Sequence, residues 1–291
     1  MVETRQVKDY LSTLKPVWCP GCGDFGVLNA LTRAFASLAL KPEQYVIVSG
    51  IGCSSRMPGY VRGYGFHGIH GRALPVATGL KLVRPDLDVI VTIGDGDAYG
   101  IGGNHFLHAA RRNVDVTCVV MDNRVYAMTK GQVSPTTPLG DVTSTTPTGS
   151  VEPPLRPLLL AIAAGATFVA RASSWEPKRL ATLLAQGIRH PGFALIEVLS
   201  PCVTFRTEDR ALRERVVWRE QSATHDLLEA MSVALEDDGL TLGLFYQVER
   251  PVFGGEQAVP RKGPALEFAR RGLDAILAAR DEGRGSSVAR D

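Results

Sequence analysis

Short apolar runs alternate with amphipathic segments along most of the chain. The runs are rich in Val, Ile and Leu, and they predict strands near 45–49, 88–93, 116–121, 166–171 and 193–199. Between them, apolar residues at helical spacing predict helices over 24–38, 73–84, 102–113, 155–165 and 176–189, the first of them capped by Asp24. This alternation predicts an α/β fold, a mostly parallel sheet with helices on both faces.

Two segments depart from the alternation. Residues 133–157 are rich in Ser, Thr, Pro and Gly and have no periodicity, so we expect a long functional loop. Beyond 208 the pattern predicts a helix near 210–236, a strand at 241–248, a helix near 263–280 and a mobile tail at 283–291. We therefore expect an α/β domain over 1–208 and a C-terminal helical and strand extension over 209–291.

Composition narrows the class of protein. The chain has 291 residues, of which 45% are hydrophobic and 21% charged, as in an ordinary soluble enzyme. Its net charge of +2 gives no reason to expect nucleic acid binding. The longest uncharged apolar stretch, 158–170, is too short to cross a membrane, and no secretory signal is evident. We expect a cytoplasmic protein.

The most informative motif is Gly94-Asp95-Gly96, which follows the predicted strand at 88–93 directly. Asp122-Asn123 follows the next predicted strand, and Asn123 lies 28 residues after Asp95. The carboxyl ends of parallel strands meet at one edge of a sheet, where α/β proteins bind their ligands. Carboxylate and amide oxygens there suit Mg²⁺ that also holds phosphates.

Four of the five cysteines lie in predicted loops. Cys19 and Cys22 form a Cys-x-x-Cys pair, while Cys53 and Cys202 each follow a strand. Cys118 lies inside a strand and is expected to be buried. From spacing alone, a redox dithiol, a structural zinc site, an iron–sulfur cluster and unrelated reduced thiols all stay open.

Five motifs in one order resemble a known family. The Asp95 and Asn123 pattern resembles the diphosphate-binding motif of thiamine diphosphate enzymes. Together with segments 18–23, 50–55, 67–72 and 200–204, it resembles the β subunit of 2-oxoacid:ferredoxin oxidoreductases over about residues 10–210. The resemblance implies a thiamine diphosphate-binding fold, coenzyme A as co-substrate, and electron transfer to ferredoxin. It also implies an α subunit that supplies the activating glutamate, in an (αβ)₂ assembly.

The resemblance also implies where cofactors bind. Mg²⁺ would be held by Asp95, Asn123 and the carbonyl of Val125. One [4Fe-4S] cluster would be held by Cys19, Cys22, Cys53 and Cys202, with no role for Cys118. The cofactor-binding residues would be Ile51, Gly52, Cys53, Ser54, His70, Gly94, Asp95, Gly96, Asp97, Asn123, Val125, Ala127 and Met128.

Three further residues are candidates for catalysis. Lys130 could bind a substrate carboxylate, or be a solvated loop lysine. Arg56 could meet coenzyme A or substrate, and His70 the diphosphate or substrate, although a surface arginine and a structural histidine are the plain alternatives. Trp18 is expected to pack over the cluster, and Asp97 and His105 have no predicted role of their own.

The predicted substrate is 2-oxoglutarate, because a cation at Lys130 suits a second carboxylate. Three alternatives stay open. They are a pyruvate-type or broad-specificity enzyme of the same family, a cluster-free thiamine-dependent decarboxylase or synthase subunit, and a structural or regulatory subunit stabilised by bound zinc.

Overall fold

An eight-stranded sheet runs through residues 5–254, the part of the chain that the computed structural model describes. Its strands are β1 (Tyr45–Ser49), β2 (Tyr64–His67), β3 (Asp88–Gly94), β4 (Val116–Asp122), β5 (Phe168–Ser173), β6 (Phe193–Leu199), β7 (Val217–Trp218) and β8 (Thr241–Gln247). They are ordered β2-β1-β3-β4-β6-β5-β8-β7, and all neighbours are parallel except β5 and β8. The predicted mostly parallel sheet is confirmed.

Helices cover both faces of the sheet. They are α1 (Asp24–Ser37), α2 (Met57–Tyr60), α3 (Ala73–Val83), α4 (Gly103–Arg112), α5 (Pro157–Ala164), α6 (Pro177–Arg189) and α7 (Leu227–Glu236). Helices α1 and α6 pack on one face, whereas α3, α4, α5 and α7 pack on the other. Three 3-10 helices (Val7–Tyr10, Ser54–Arg56 and Thr207–Glu214) and a π-helix (Gly96–Ile101) complete the described elements.

Side chains along each central strand belong alternately to two apolar cores, one on each face of the sheet. In β1, Val46 and Val48 belong to the core under α3 and α4, while Tyr45 and Ile47 belong to the core under α1 and α6. Successive side chains of a strand point to opposite faces, so a strand covered on both sides must be apolar throughout. This is why the sequence shows continuous apolar runs.

The structure corrects several predicted elements. The strand predicted at 166–171 lies two residues later, and helix 102–113 is preceded by a π-helix that starts at Gly96. Asp24 does not cap α1, because it is the first helical residue and its carboxylate instead accepts a 2.8 Å hydrogen bond from Ser200. The exposed strand β2 was not predicted.

The helix predicted over 210–236 is wrong. In its place the chain forms a 3-10 helix, the short strand β7 and helix α7. The break has a local cause at Asp226, whose carboxylate accepts a 2.8 Å hydrogen bond from the Glu229 N–H and caps α7.

The C-terminal extension contributes to the sheet as far as it is described. Strand β8 pairs with β5, and β7 pairs with β8. The division of the chain after residue 208 stays a prediction, and the predictions for 263–280 and 283–291 lie outside the described residues. No helix within 5–254 has the length and apolar character needed to cross a bilayer.

A buried guanidinium joins β5, β6 and the segment before β8. Arg171 donates from Nε to Glu197 at 2.7 Å, and its Nη1 contacts the carboxylate of Asp237. All three side chains are at most 5% exposed. Removing one partner of a buried ion pair leaves an uncompensated charge, which costs more than the pair itself contributes.

We predict that Arg171→Met lowers the free energy of unfolding by about 3–5 kcal/mol, because two buried carboxylates lose their cation. Urea unfolding followed by circular dichroism measures the loss. Arg84→Met is the matched control, because Arg84 pairs with Asp86 on the exposed surface and its removal should change stability little. Equal losses in the two variants would contradict the structural role given to Arg171.

Candidate active site

A cavity of about 130 Å³ opens at the carboxyl ends of β1, β3 and β4. It is lined by Ile51, Gly52, Cys53, Ser54, His70, Gly94, Asp95, Gly96, Asp97, Asn123, Val125, Tyr126, Ala127, Met128 and Thr129. This set contains every residue predicted to bind the cofactor, together with Tyr126 and Thr129. We call it the cofactor cavity.

Asp95 and Asp122 form a buried carboxylate pair beside this cavity. Strands β3 and β4 are in register with Gly94 opposite Met121, so the residues that follow them emerge side by side. The hydroxyl of Thr136 lies 2.8 Å from Asp95 Oδ2 and 2.8 Å from Asp122 Oδ1. A hydroxyl carries one proton, so it can donate to only one of the two at a time.

Burial and the neighbouring carboxylate raise the proton affinity of Asp95. Asp95 is 2% exposed, and burial, followed by the neighbouring Asp122 carboxylate, raises its pKa to about 7. The hydrogen bond from Thr136 opposes the rise but does not cancel it. Two buried carboxylates that share one hydroxyl are short of positive charge, which is the environment that a divalent cation completes.

The segment after β4 presents two further oxygens. Asn123 Oδ1 accepts a 3.1 Å hydrogen bond from the Val125 N–H, and the Val125 carbonyl accepts a 2.9 Å bond from the Ala127 N–H. Each oxygen keeps a second lone pair. The donor set of Asp95, Asn123 and Val125 therefore fits Mg²⁺, which prefers oxygen ligands and retains positions for phosphate and water.

Asp97, predicted to bind the cofactor but given no separate chemical role, joins two loops. Its carboxylate lies 2.7 Å from His70 Nδ1, accepts from the Gly71 N–H, and accepts from the Ile51 N–H at 3.2 Å. A side chain at Gly50 would collide with this carboxylate, since a Cβ built there would lie 2.1 Å from Asp97 Oδ2. Burial raises the pKa of Asp97. Asp97 thus positions the loops on which His70 and Ile51 are carried.

Tyr126 explains the glycines of the π-helix. A Cβ at Gly96 would lie 2.1 Å from the Tyr126 ring, and one at Gly100 would lie 2.5 Å from its hydroxyl. The absence of side chains lets the ring close over the helix, and the Tyr126 hydroxyl lies 3.3 Å from the Gly96 carbonyl. Short π-helical turns are frequent at functional sites. The sequence offers Tyr126 only as a neighbour of Asn123.

The loops that carry the four loop cysteines are bonded to one another. The Gly23 N–H contacts the Pro201 carbonyl at 3.4 Å, and the Thr204 hydroxyl lies 3.3 Å from Cys19 Sγ. Trp18 donates from its indole to the Cys53 carbonyl at 2.8 Å, so it anchors this loop region as well as packing there. Cys118 is fully buried, as expected, and lies in the sheet instead.

The environments of the Cys22 and Cys53 thiols are unfavourable to isolated thiolates. Burial, followed by Asp24, raises the pKa of Cys53 to about 11, and the same two causes raise the pKa of Cys22. Within 5–254, no three His, Cys, Asp or Glu side chains converge as closely as one metal ion requires. A four-iron cluster would supply the positive charge that keeps such thiolates ionised. Four thiols on bonded loops are a donor set that fits an iron–sulfur cluster.

The structure does not bring Lys130 or Arg56 into the cofactor cavity. Lys130 is exposed and lines a neighbouring cavity, which shares Val125 with the first and also contains Arg124 and Arg206. The backbone at Arg124 (φ 57°) and Lys130 (φ 86°) is left-handed. Arg56 is exposed, with its Nε 3.2 Å from the Tyr60 hydroxyl.

Known proteins are similar to this chain in sequence and in fold. Residues 50–198 match the family model "Thiamine pyrophosphate enzyme, C-terminal TPP binding domain". The chain is 43% identical over 245 residues to the "2-oxoglutarate synthase subunit KorB" of Methanocaldococcus jannaschii, covering 82% of this chain and 90% of that subunit. It is 50% identical over 203 residues to the "2-oxoglutarate oxidoreductase subunit KorB" of Mycobacterium tuberculosis, covering 70% of this chain. The match spans about half, 54%, of that relative's length.

A solved structure has the same fold over nearly the whole chain. It is a 2-oxoglutarate:ferredoxin oxidoreductase from Magnetococcus marinus with 2-oxoglutarate, coenzyme A and succinyl-CoA bound. The TM-score is 0.84 at 41% identity, covering 99% of this chain and 94% of that one.

We predict that Thr136→Val weakens binding of thiamine diphosphate with Mg²⁺ roughly 10- to 100-fold, because Asp95 loses its hydroxyl partner beside a second carboxylate. Isothermal titration calorimetry measures this without an activity assay. Thr136→Ser should restore the affinity, and Thr145→Val, at an exposed site in the same loop, should leave it unchanged. Unaltered affinity in a folded Thr136→Val protein would show that Thr136 does not position Asp95.

Proposed function

The chain belongs to the family of thiamine diphosphate-dependent 2-oxoacid:ferredoxin oxidoreductases as a β subunit, and from this membership we propose that it oxidatively decarboxylates 2-oxoglutarate to an acyl-CoA and passes the electrons to ferredoxin. The observation that carries the proposal is the cofactor cavity. Asp95, Asn123 and Val125 line it together with Cys53, a proposed cluster ligand. Cofactor and cluster would thus share a boundary.

The diphosphate end of the cofactor would be held by Mg²⁺ on Asp95, Asn123 and the Val125 carbonyl. When bound, thiamine diphosphate supplies a nucleophilic carbon and an electron sink for decarboxylation. Asp95 would remain ionised there because the metal would supply the charge that the Asp95 and Asp122 pair lacks. His70, fixed by Asp97 at 2.7 Å, lines the same cavity and would meet the diphosphate or the substrate.

One [4Fe-4S] cluster on Cys19, Cys22, Cys53 and Cys202 would accept the electrons one at a time and deliver them to ferredoxin. Support comes from the bonded loops that carry these thiols and from the position of Cys53 beside the cofactor. Reduced thiols and an oxygen-sensitive cluster suit the cytoplasm, where we place the enzyme.

An α subunit is needed to complete the site, and we propose an (αβ)₂ assembly. The cofactor cavity measures about 130 Å³, well below the roughly 300–1,000 Å³ of typical small-molecule sites. No glutamate is among its lining residues, although thiamine activation in the family uses one. A partner chain would supply both the missing wall and the glutamate.

The choice of 2-oxoglutarate is supported by the names of the relatives and by Lys130. No ion pair involves Lys130 within the described chain, so its ammonium group is available to a substrate carboxylate. Its position in the neighbouring cavity suits the distal end of a longer substrate better than the reacting end. Broad 2-oxoacid or pyruvate use is the alternative, and Arg56 stays a candidate for contact with coenzyme A.

The proposal is tested by purifying the chain anaerobically with its α subunit and measuring reduction of ferredoxin. Reduction should require 2-oxoglutarate, coenzyme A and thiamine diphosphate together, and the complex should contain iron and labile sulfide. Decarboxylation without iron would identify a cluster-free thiamine enzyme instead. A colourless zinc protein would overturn the redox role altogether.

We expect Cys202→Ser to lose or damage the cluster, because a hard hydroxyl replaces a soft thiolate. Iron and sulfide analysis with an absorption spectrum measures the loss. Cys118→Ser is the internal control, since Cys118 is buried in the sheet and should cost only packing. If Cys118→Ser strips the iron and Cys202→Ser does not, the ligand assignment is wrong.

We expect Lys130→Ala to lower kcat/KM for 2-oxoglutarate roughly 10- to 150-fold, because a charge-assisted contact is worth about 1.5–3 kcal/mol. Pyruvate has no second carboxylate, so its kcat/KM should fall much less. Both are measured in the αβ complex with a low-potential electron acceptor. Equal losses would assign Lys130 to the carboxylate that all 2-oxoacids share, or to the loop.

A further inference from the structure

Two hydrogen-bond donors near the loop cysteines lie in one short segment, residues 202–206, which we call the donor segment. The Thr204 hydroxyl lies 3.3 Å from Cys19 Sγ, and the Phe205 N–H donates to Cys202 Sγ at 3.4 Å. A cysteine that ligates iron has lost its thiol proton, so its sulfur can only accept in these contacts. Both would then be charge-assisted hydrogen bonds to ligand sulfurs, which are stronger than bonds to a neutral thiol.

The donor segment is held by Arg206, its last residue. The Arg206 N–H donates to the Cys202 carbonyl at 3.2 Å, which closes a turn that contains both donors. The Arg206 side chain is 7% exposed, and its guanidinium pairs with Asp209 at 2.8 Å and also with Asp141. A buried guanidinium with two carboxylate partners fixes its backbone firmly. The protein therefore sets the positions of both donors.

Hydrogen bonds to these sulfurs bear on the electron-transfer step of the proposed function. The proposed cluster gains one electron from substrate oxidation and later gives that electron to ferredoxin. While it holds the electron, the cluster carries one more negative charge, part of which lies on its sulfur ligands. A donor to such a sulfur stabilises the reduced form more than the oxidised form, so it raises the reduction potential.

We propose that the Thr204 hydroxyl and the Phe205 N–H raise the reduction potential of the cluster through their bonds to Cys19 and Cys202. The inference rests on the cluster in the proposed function and gives a role to groups outside its four thiols. A higher potential makes the cluster a better acceptor from substrate oxidation and a weaker donor to ferredoxin. The hydroxyl is the donor that a substitution can remove, because Thr204 is an exposed side chain and the N–H of Phe205 belongs to the backbone.

The test is an equilibrium redox titration of the complete chain with its α subunit, in which electron paramagnetic resonance follows the reduced cluster. Thr204→Val removes the hydroxyl and keeps the shape of the side chain. At a given potential we expect its ratio of reduced to oxidised cluster to fall roughly three- to tenfold, which for one electron lowers the potential by about 30–60 mV. Thr204→Ser should keep the original potential. Thr182→Val is the matched control, because the exposed Thr182 hydroxyl bonds within α6 to the Lys178 carbonyl.

Iron and sulfide analysis of each protein separates the possible failures. An unchanged or raised potential in a Thr204→Val protein with a full cluster would overturn the inference, and so would a shift that Thr204→Ser shares. A Thr204→Val protein that loses its cluster while Thr204→Ser keeps it would assign the hydroxyl to cluster assembly, which also overturns the inference. Absence of iron and sulfide from the unaltered protein would instead contradict the proposed function itself.

Discussion

Burial of carboxylates at the ends of β3, β4 and β6 is the constraint on which this edge of the protein depends. Asp95, Asp97, Asp122 and Glu197 are each at most 5% exposed. A carboxylate so deep in a protein must find hydrogen bonds or positive charge. The surrounding loops meet part of that requirement: the Thr136 hydroxyl lies within hydrogen-bond distance of Asp95 and Asp122, backbone amides of two loops bond to Asp97, and Arg171 bonds to Glu197. The loop conformations follow from where the carboxylates lie.

The strand order concentrates these groups in one place. After β1 the chain adds β2 on one side and β3 on the other, so the segments following β1 and β3 diverge from a common crevice. Ligands of open α/β sheets bind at such a change of direction. Here that crevice is the cofactor cavity, into which the loop after β1 brings Cys53 and the end of β3 brings Asp95. Fold and site are thus fixed together by the order of a few strands.

The sequence predicted those parts whose determinants are local. Strands buried on both faces were predictable because every position must be apolar, and Asp95 and Asn123 because each follows such a strand. Thr136 and the role of Asp97 were not, since their partners are 41 and 46 residues away in the chain and leave no periodic signal. Strand β2 is exposed at every position, so it lacks the apolar run that marks the others. Lys130 lies close to the cofactor residues along the chain, but the structure shows it lining a different cavity, a placement that the sequence pattern does not reveal.

The position of Cys53 affects how oxygen would inactivate the proposed enzyme. Its thiol is assigned to the cluster, its residue lines the cofactor cavity, and its carbonyl holds the indole of Trp18. Oxidative loss of iron would release this loop, and the same release would remove part of the cofactor wall. Oxygen damage would then disable electron transfer and decarboxylation together. A chain that lost only its electron acceptor could go on consuming 2-oxoacid without conserving the energy, and under the proposed assignment the shared residue would prevent that uncoupled state.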